Sequence, residues 1–166
     1  ITGLSLIIVD GGTMEGINVN NLTIYGTEAP IYIRLGNRAR KFTEGISKPD
    51  VGKIRNISLN NITVYGAGSW GSSITGIPDH PVENITLSNL RLFTTGGVEE
   101  EGYNKEVEEA ITKYPQPTVW RELPAYGLYI RHARGLSIDN AVFGVEEKDA
   151  RVPVMAEDVK EFRITR

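Results

Sequence analysis

The chain has 166 residues, an apolar fraction of 40%, and 18 Lys and Arg against 21 Asp and Glu, a formal net charge of −3. These values describe one ordinary globular domain and exclude a disordered tail, a basic nucleic-acid-binding surface and, since no apolar run is long enough, a membrane-spanning helix. With no Cys, neither a disulfide framework nor a thiolate metal site can form.

The first residues, Ile1 to Val9, read as strand without a starting Met, so the expectation is a single domain over 1–166 cut from a longer solenoid. A phrase then begins that recurs four times, at Gly16–Tyr25, Ile54–Tyr65, Val82–Phe93 and Leu136–Phe143. Each copy is a short alternating strand, a polar pair ending in Asn, and another alternating strand. One copy cannot bury its apolar side alone, whereas stacked copies join those sides into a continuous core. Asn tolerates left-handed backbone angles, and its amide can reach an equivalent Asn about 4.8 Å along the stack. Asn21, Asn61, Asn89 and Asn140 are therefore predicted to form a ladder, with large loops absorbing their uneven spacing.

Between the phrases lie Ala29–Leu35, Ser73–Ile77, Gly127–Arg131 and Val152–Met155, short alternating runs bounded by Gly or Pro that supply a further wall. The expected fold is an all-β, right-handed parallel β-helix, the hand that parallel crossovers favour. In Ile31-Tyr32-Ile33-Arg34 the isoleucines point inward and Tyr32 and Arg34 outward, and the same alternation turns Tyr129 and Arg131 outward. The segment near 99–125 departs from the pattern. Tyr103, Val107, Ala110, Ile111 and Tyr114 stand at helical spacing, which predicts a short amphipathic helix over Gly102 to Tyr114, followed by a Pro-rich surface loop.

Three segments, Ile17–Arg40, Ile74–Thr86 and Leu123–His132, in this order resemble the later part of the polygalacturonase-like glycoside hydrolases of family 28. The resemblance implies an inverting hydrolase of pectic polysaccharide, secreted or periplasmic, working with two carboxyl groups. The family carries these in Asn-Thr-Asp and Asp-Asp motifs followed by Gly-His-Gly and Arg-Ile-Lys, and none of the four occurs here. Asp10 has no adjacent Asp and reads as a turn residue. The parent is expected to be the hydrolase, this C-terminal stretch alone to be inactive, with no catalytic residue, cofactor or metal.

Substrate contacts remain open. Family members place a substrate-contacting Tyr near the position of Asn37, so Asn37 and Arg38 are cleft candidates or turn residues, with Arg34 behind them. Tyr129, Arg131 and His132 form a second group, in which His132 lacks a recognisable carboxylate partner. Trp120 either stacks on a sugar ring or pins the loop. His80 and the acidic run Glu99–Glu101 read as structure and solvated surface. The partners expected are pectic oligo- or polysaccharide, not nucleic acid or membrane, with self-association possible through an exposed solenoid end. The competing readings are a non-catalytic carbohydrate-binding or structural β-helix and, among enzymes, a β-helical lyase or epimerase.

Overall fold

The computed structural model describes residues 1–165. Eight strands follow one another as β1 (Thr2–Ile8), β2 (Thr13–Tyr25), β3 (Ala29–Leu35), β4 (Lys53–Ala67), β5 (Ser72–Thr75), β6 (Val82–Gly96), β7 (Ala125–Glu147) and β8 (Val152–Thr165). All pair in parallel, in the order β1-β3-β5-β7-β6-β4-β2, with β8 on the far edge of β7. The long β7 carries both tracks, pairing through Leu128–Arg131 with β5 and through Ala133–Glu147 with β6. The chain thus returns repeatedly to the same two tracks, an all-β parallel arrangement compatible with a solenoid. The four recurring phrases lie on β2, β4, β6 and the second part of β7, and the four intervening runs on β3, β5, the first part of β7 and β8.

The register converts the apolar alternation into columns. Ile17, Ile57, Ile85, Leu136 and Phe162 stand one above another, as do Val19, Leu59, Leu87, Ile138 and Ile164. From the other track, Leu6, Ile33, Ile74, Ile130 and Ala156 complete the interior. In the middle rungs these side chains are essentially inaccessible, and each buried Leu or Ile contributes about 1.5–3 kcal/mol.

The long strands bend at recurring left-handed positions. The predicted bend residues Asn21, Asn61, Asn89 and Asn140 have φ of 57°, 54°, 52° and 52°, the left-handed region that Asn tolerates. A second bend column, not anticipated, runs through Gly16, Asn56, Asn84, Gly135 and Glu161, again all left-handed. The amide ladder is real but not straight. Asn61 donates to Asn21 at 3.1 Å and Asn140 to Asn89 at 2.7 Å, whereas Asn89 turns aside to Asn60 at 3.0 Å. Asn60 itself donates to Asn20, and Asn84 to Asn56, both at 3.0 Å. The polar pair before each bend therefore supplies two parallel ladders rather than one.

The predicted helix over Gly102–Tyr114 does not form, and the described residues contain one helical turn, the 3-10 turn Pro117–Val119. The reason lies in the carbonyls. Val107 O accepts from Arg131 Nη1 (2.7 Å), Glu108 O from Trp120 Nε1 (2.8 Å), Glu109 O and Ala110 O from Arg34 Nη2 (3.1 and 2.7 Å), and Ile111 O from the Asn37 N–H (2.8 Å). Five consecutive carbonyls accept from donors other than a helical N–H four residues on, Ala110 O adding only a single tight turn to the Lys113 N–H, and Ala110 at φ 48° breaks the helical geometry. Tertiary contacts override the apolar spacing.

Candidate functional site

Residues 99–125 form a strap across the outer face of β3, β5 and the first part of β7. Tyr32, Arg34, Tyr129 and Arg131 point away from the aliphatic interior as expected, yet of the four only Arg131 keeps a part of its side chain, 21%, in solvent. Tyr32, Arg34 and Tyr129 are each no more than 2% exposed, because Ala110, Trp120, Leu123 and Ala125 pack over them in a second apolar cluster. The face on which the resemblance places substrate is closed.

All seven residues singled out from the sequence meet at this strap or its ends. Arg34 is inserted between the carbonyls of Glu109 and Ala110, Thr75 Oγ1 (3.3 Å) and the Trp120 ring, whose centroid lies 4.4 Å from the guanidinium carbon. Burial lowers its pKa, and the bonded carbonyls and the aromatic face supply the compensation that a buried cation needs. Trp120 pins the strap. Its Nε1 donates within the strap, and its ring packs at 6.4 Å from that of Tyr32. Tyr129 donates to Glu157 Oε2 at 2.7 Å, and burial first, then this bond, raise its pKa well above the usual phenol value. Burial pushes the Tyr32 phenol to about 12, and its hydroxyl has no hydrogen-bond partner among the described residues.

Asn37 and Arg38 sit where the strap meets the opening turn. The Arg38 guanidinium grips both oxygens of Asp10 (3.2 and 2.6 Å) and lies over Tyr114, while Arg40 adds further bonds to the same carboxylate. The Arg38 bond is the main reason the Asp10 carboxyl is held far below the ordinary range. Asp10 is more than a turn residue: it anchors the Arg38–Arg40 segment.

His132 does have carboxylate partners. Nδ1 lies 2.6 Å from Asp158 Oδ2, and Nε2 lies 3.0 and 3.1 Å from the two oxygens of Glu109. Glu109 also pairs with Arg131, which donates to Val107 O and faces Glu157 at 3.6 Å. The His132 bond holds the Asp158 carboxyl below its usual value. Asp158 is 26 residues from His132 and Glu109 is 23, separations at which a single sequence carries no pairing signal.

Beside this network lies a recess of about 240 Å³ between the Ile77–Pro81 turn and the bends at His132 and Asp158, lined by Asp79, Arg134 and Lys160 as well. Gly76 makes it possible: a Cβ there would collide with the carbonyl oxygens of His132 and His80. Asp79, His132 and Asp158 all have left-handed backbones, with φ of 65°, 49° and 47°.

The strap is rooted by a buried ion pair that sequence reading missed. Arg151 and Asp149 have fully buried side chains; Arg151 Nε and Nη2 bond the two Asp149 oxygens at 2.9 and 2.8 Å, and Nη1 donates to Ser69 O and Leu123 O. Burial works to raise the Asp149 carboxyl, but the Arg151 bonds prevail and lower it. The loop between β5 and β4 and both ends of the strap, Val98 and Leu123, are tied to this one pair. Comparison with family models, with curated proteins and with solved structures finds no match for the chain.

Proposed function

We propose that this chain is a stretch of a right-handed parallel β-helix from a glycoside hydrolase of the polygalacturonase-like kind, acting on galacturonate-containing pectic polysaccharide outside the cytoplasm. The supporting observation is the rung stack itself. The three segments on which the family resemblance rests follow one another along its in-register strands, the first on β2 and β3, the second across β5 and β6, the third on the first part of β7. Right-handed winding is the hand that nearly all parallel crossovers adopt.

This stretch is proposed to contribute framework and binding rather than turnover. Inverting hydrolysis needs a carboxylic acid and a carboxylate roughly 6.5–9.5 Å apart with a water between one of them and the sugar. On the strapped face, Glu109 and Glu157 are instead occupied by Arg131, His132 and Tyr129. A second reading, a non-catalytic carbohydrate-binding or structural β-helix, is favoured by the closure of that same face over Arg34.

The test is a pair of assays on the purified chain: reducing-end release from polygalacturonate, and gel retardation by polygalacturonate against a neutral polysaccharide. Retardation by the acidic polymer alone, without reducing ends, is expected. Dose-dependent release would overturn the non-catalytic assignment, and absence of retardation in both gels would leave the structural reading in its place.

A further inference from the structure

We propose that the recess beside His132 is a binding site for one carboxylate-bearing sugar unit of an acidic glycan, an inference that takes only the charge of the ligand from the pectic reading above. The first observation is a charge column. Glu15, Arg55, Glu83, Arg134 and Lys160 stand in register on successive rungs. Signs alternate down to Arg134, with Glu15 and Arg55 at 2.5 Å and Glu83 and Arg134 at 3.5 Å. Lys160 breaks the alternation. It places a second cation beside Arg134, a like-charge neighbour that a sheet disfavours; Arg134 has Glu83, whereas Lys160 makes no ion pair within 4 Å among the described residues and has only the field of the nearby Asp158 carboxylate.

The second observation is what surrounds those cations. Asp79 makes no side-chain hydrogen bond among the described residues, and Asp158 commits only Oδ2, to His132, leaving Oδ1 to accept. Two acceptors and two cations in one recess match a sugar whose carboxylate meets Arg134 and Lys160 while its hydroxyls donate to Asp79 and Asp158. At about 240 Å³ the space is smaller than the roughly 300–1,000 Å³ of drug-sized ligand sites and suits a single ring.

Calorimetric titration of the full chain with trigalacturonate, and with a neutral galactose trimer, tests the assignment. Arg134→Gln and Lys160→Gln, both at exposed positions, are each expected to weaken trigalacturonate binding by roughly tenfold or more, as loss of a charge-assisted hydrogen bond does. Arg163→Gln, an exposed cation one bend away, is the control and should leave affinity unchanged. Wild-type binding that survives the double variant overturns the recess and leaves the acidic-glycan reading standing. Wild type binding neither trimer overturns both. Equal binding of the neutral trimer, lost on Asp79→Asn but not on Lys160→Gln, overturns the carboxylate class of ligand.

Discussion

The wall made by β2, β4, β6 and the second part of β7 and the wall made by β3, β5 and the first part of β7 present equivalent aliphatic columns to the interior but finish their outer faces differently. On the first wall many outward positions are answered by an equivalent one rung away: Asn by Asn, Glu15 by Arg55, Tyr25 by Tyr65 at a ring separation of 5.4 Å, and Tyr65 by Phe93 at 6.1 Å. On the second, the outward column Ile7, Arg34, Thr75, Arg131, Glu157 is chemically irregular, and its cations are answered by a single non-repeating strap. Repetition stabilises the first wall through many small equivalent terms. The second depends on a few contacts without substitutes.

That contrast can be broken most severely at the root of the strap. Arg151→Met leaves Asp149 buried and uncompensated, and is expected to lower stability by about 3–5 kcal/mol in a denaturant titration; a loss under about 1 kcal/mol would mean the pair is not what ties the strap. Next is Trp120→Ala, at about 3 kcal/mol, since it removes a buried ring that spans strap and sheet. Its sharper readout is limited proteolysis: cutting within 99–125 should accelerate while amide protons of β4 and β6 keep their protection, and simultaneous loss of both would show the walls to be one cooperative unit.

Smaller effects come from the repeating wall. Asn89→Ala forces an ordinary side chain into φ 52° and cuts its ladder bonds, for about 1–2 kcal/mol, whereas Asn89→Gly should recover most of the loss by melting temperature. Equal losses for Ala and Gly would assign the stability to the amide ladder rather than to the bend. The smallest effect concerns acid. Asp10 is lowered in the folded state, so its contribution is complete above the unfolded carboxylate value of about 4 and is lost as pH falls toward the folded value. Asp10→Asn should therefore flatten the decline in stability below pH ~4 without altering the profile near neutrality.

The repeating wall was legible because its signal is local and periodic: alternation fixes which side chains face inward, and Asn marks the bend. The parallel columns and Asn21, Asn61, Asn89 and Asn140 followed from that. The second bend column escaped because Gly16 and Gly135 interrupt its Asn pattern, and the register that aligns them with Asn56 and Asn84 is not written in any one segment. The strap was illegible for a different reason. Val107, Ala110, Ile111 and Tyr114 have helical spacing, and only the donors waiting on Arg34, Arg131 and Asn37, some 75 residues away in the case of Arg34, decide that the carbonyls point elsewhere. Alternation turned Arg34, Tyr129 and Arg131 outward, but it cannot tell an outward residue that meets solvent from one that meets a returning loop.

Equivalent positions on successive rungs are separated by 40, 28, 51 and 26 residues, yet the strand pairing stays in step apart from local shifts at Val64–Ala67 and Ala125–Leu128. The architecture therefore behaves like a bookcase with fixed shelf spacing and freely variable overhang. Some two dozen residues suffice for one shelf, and much beyond that is cargo that evolution or an engineer can exchange, with the exposed span at 41–48, outside the Asp10 anchor, the natural place to graft a foreign peptide without disturbing the shelves above and below.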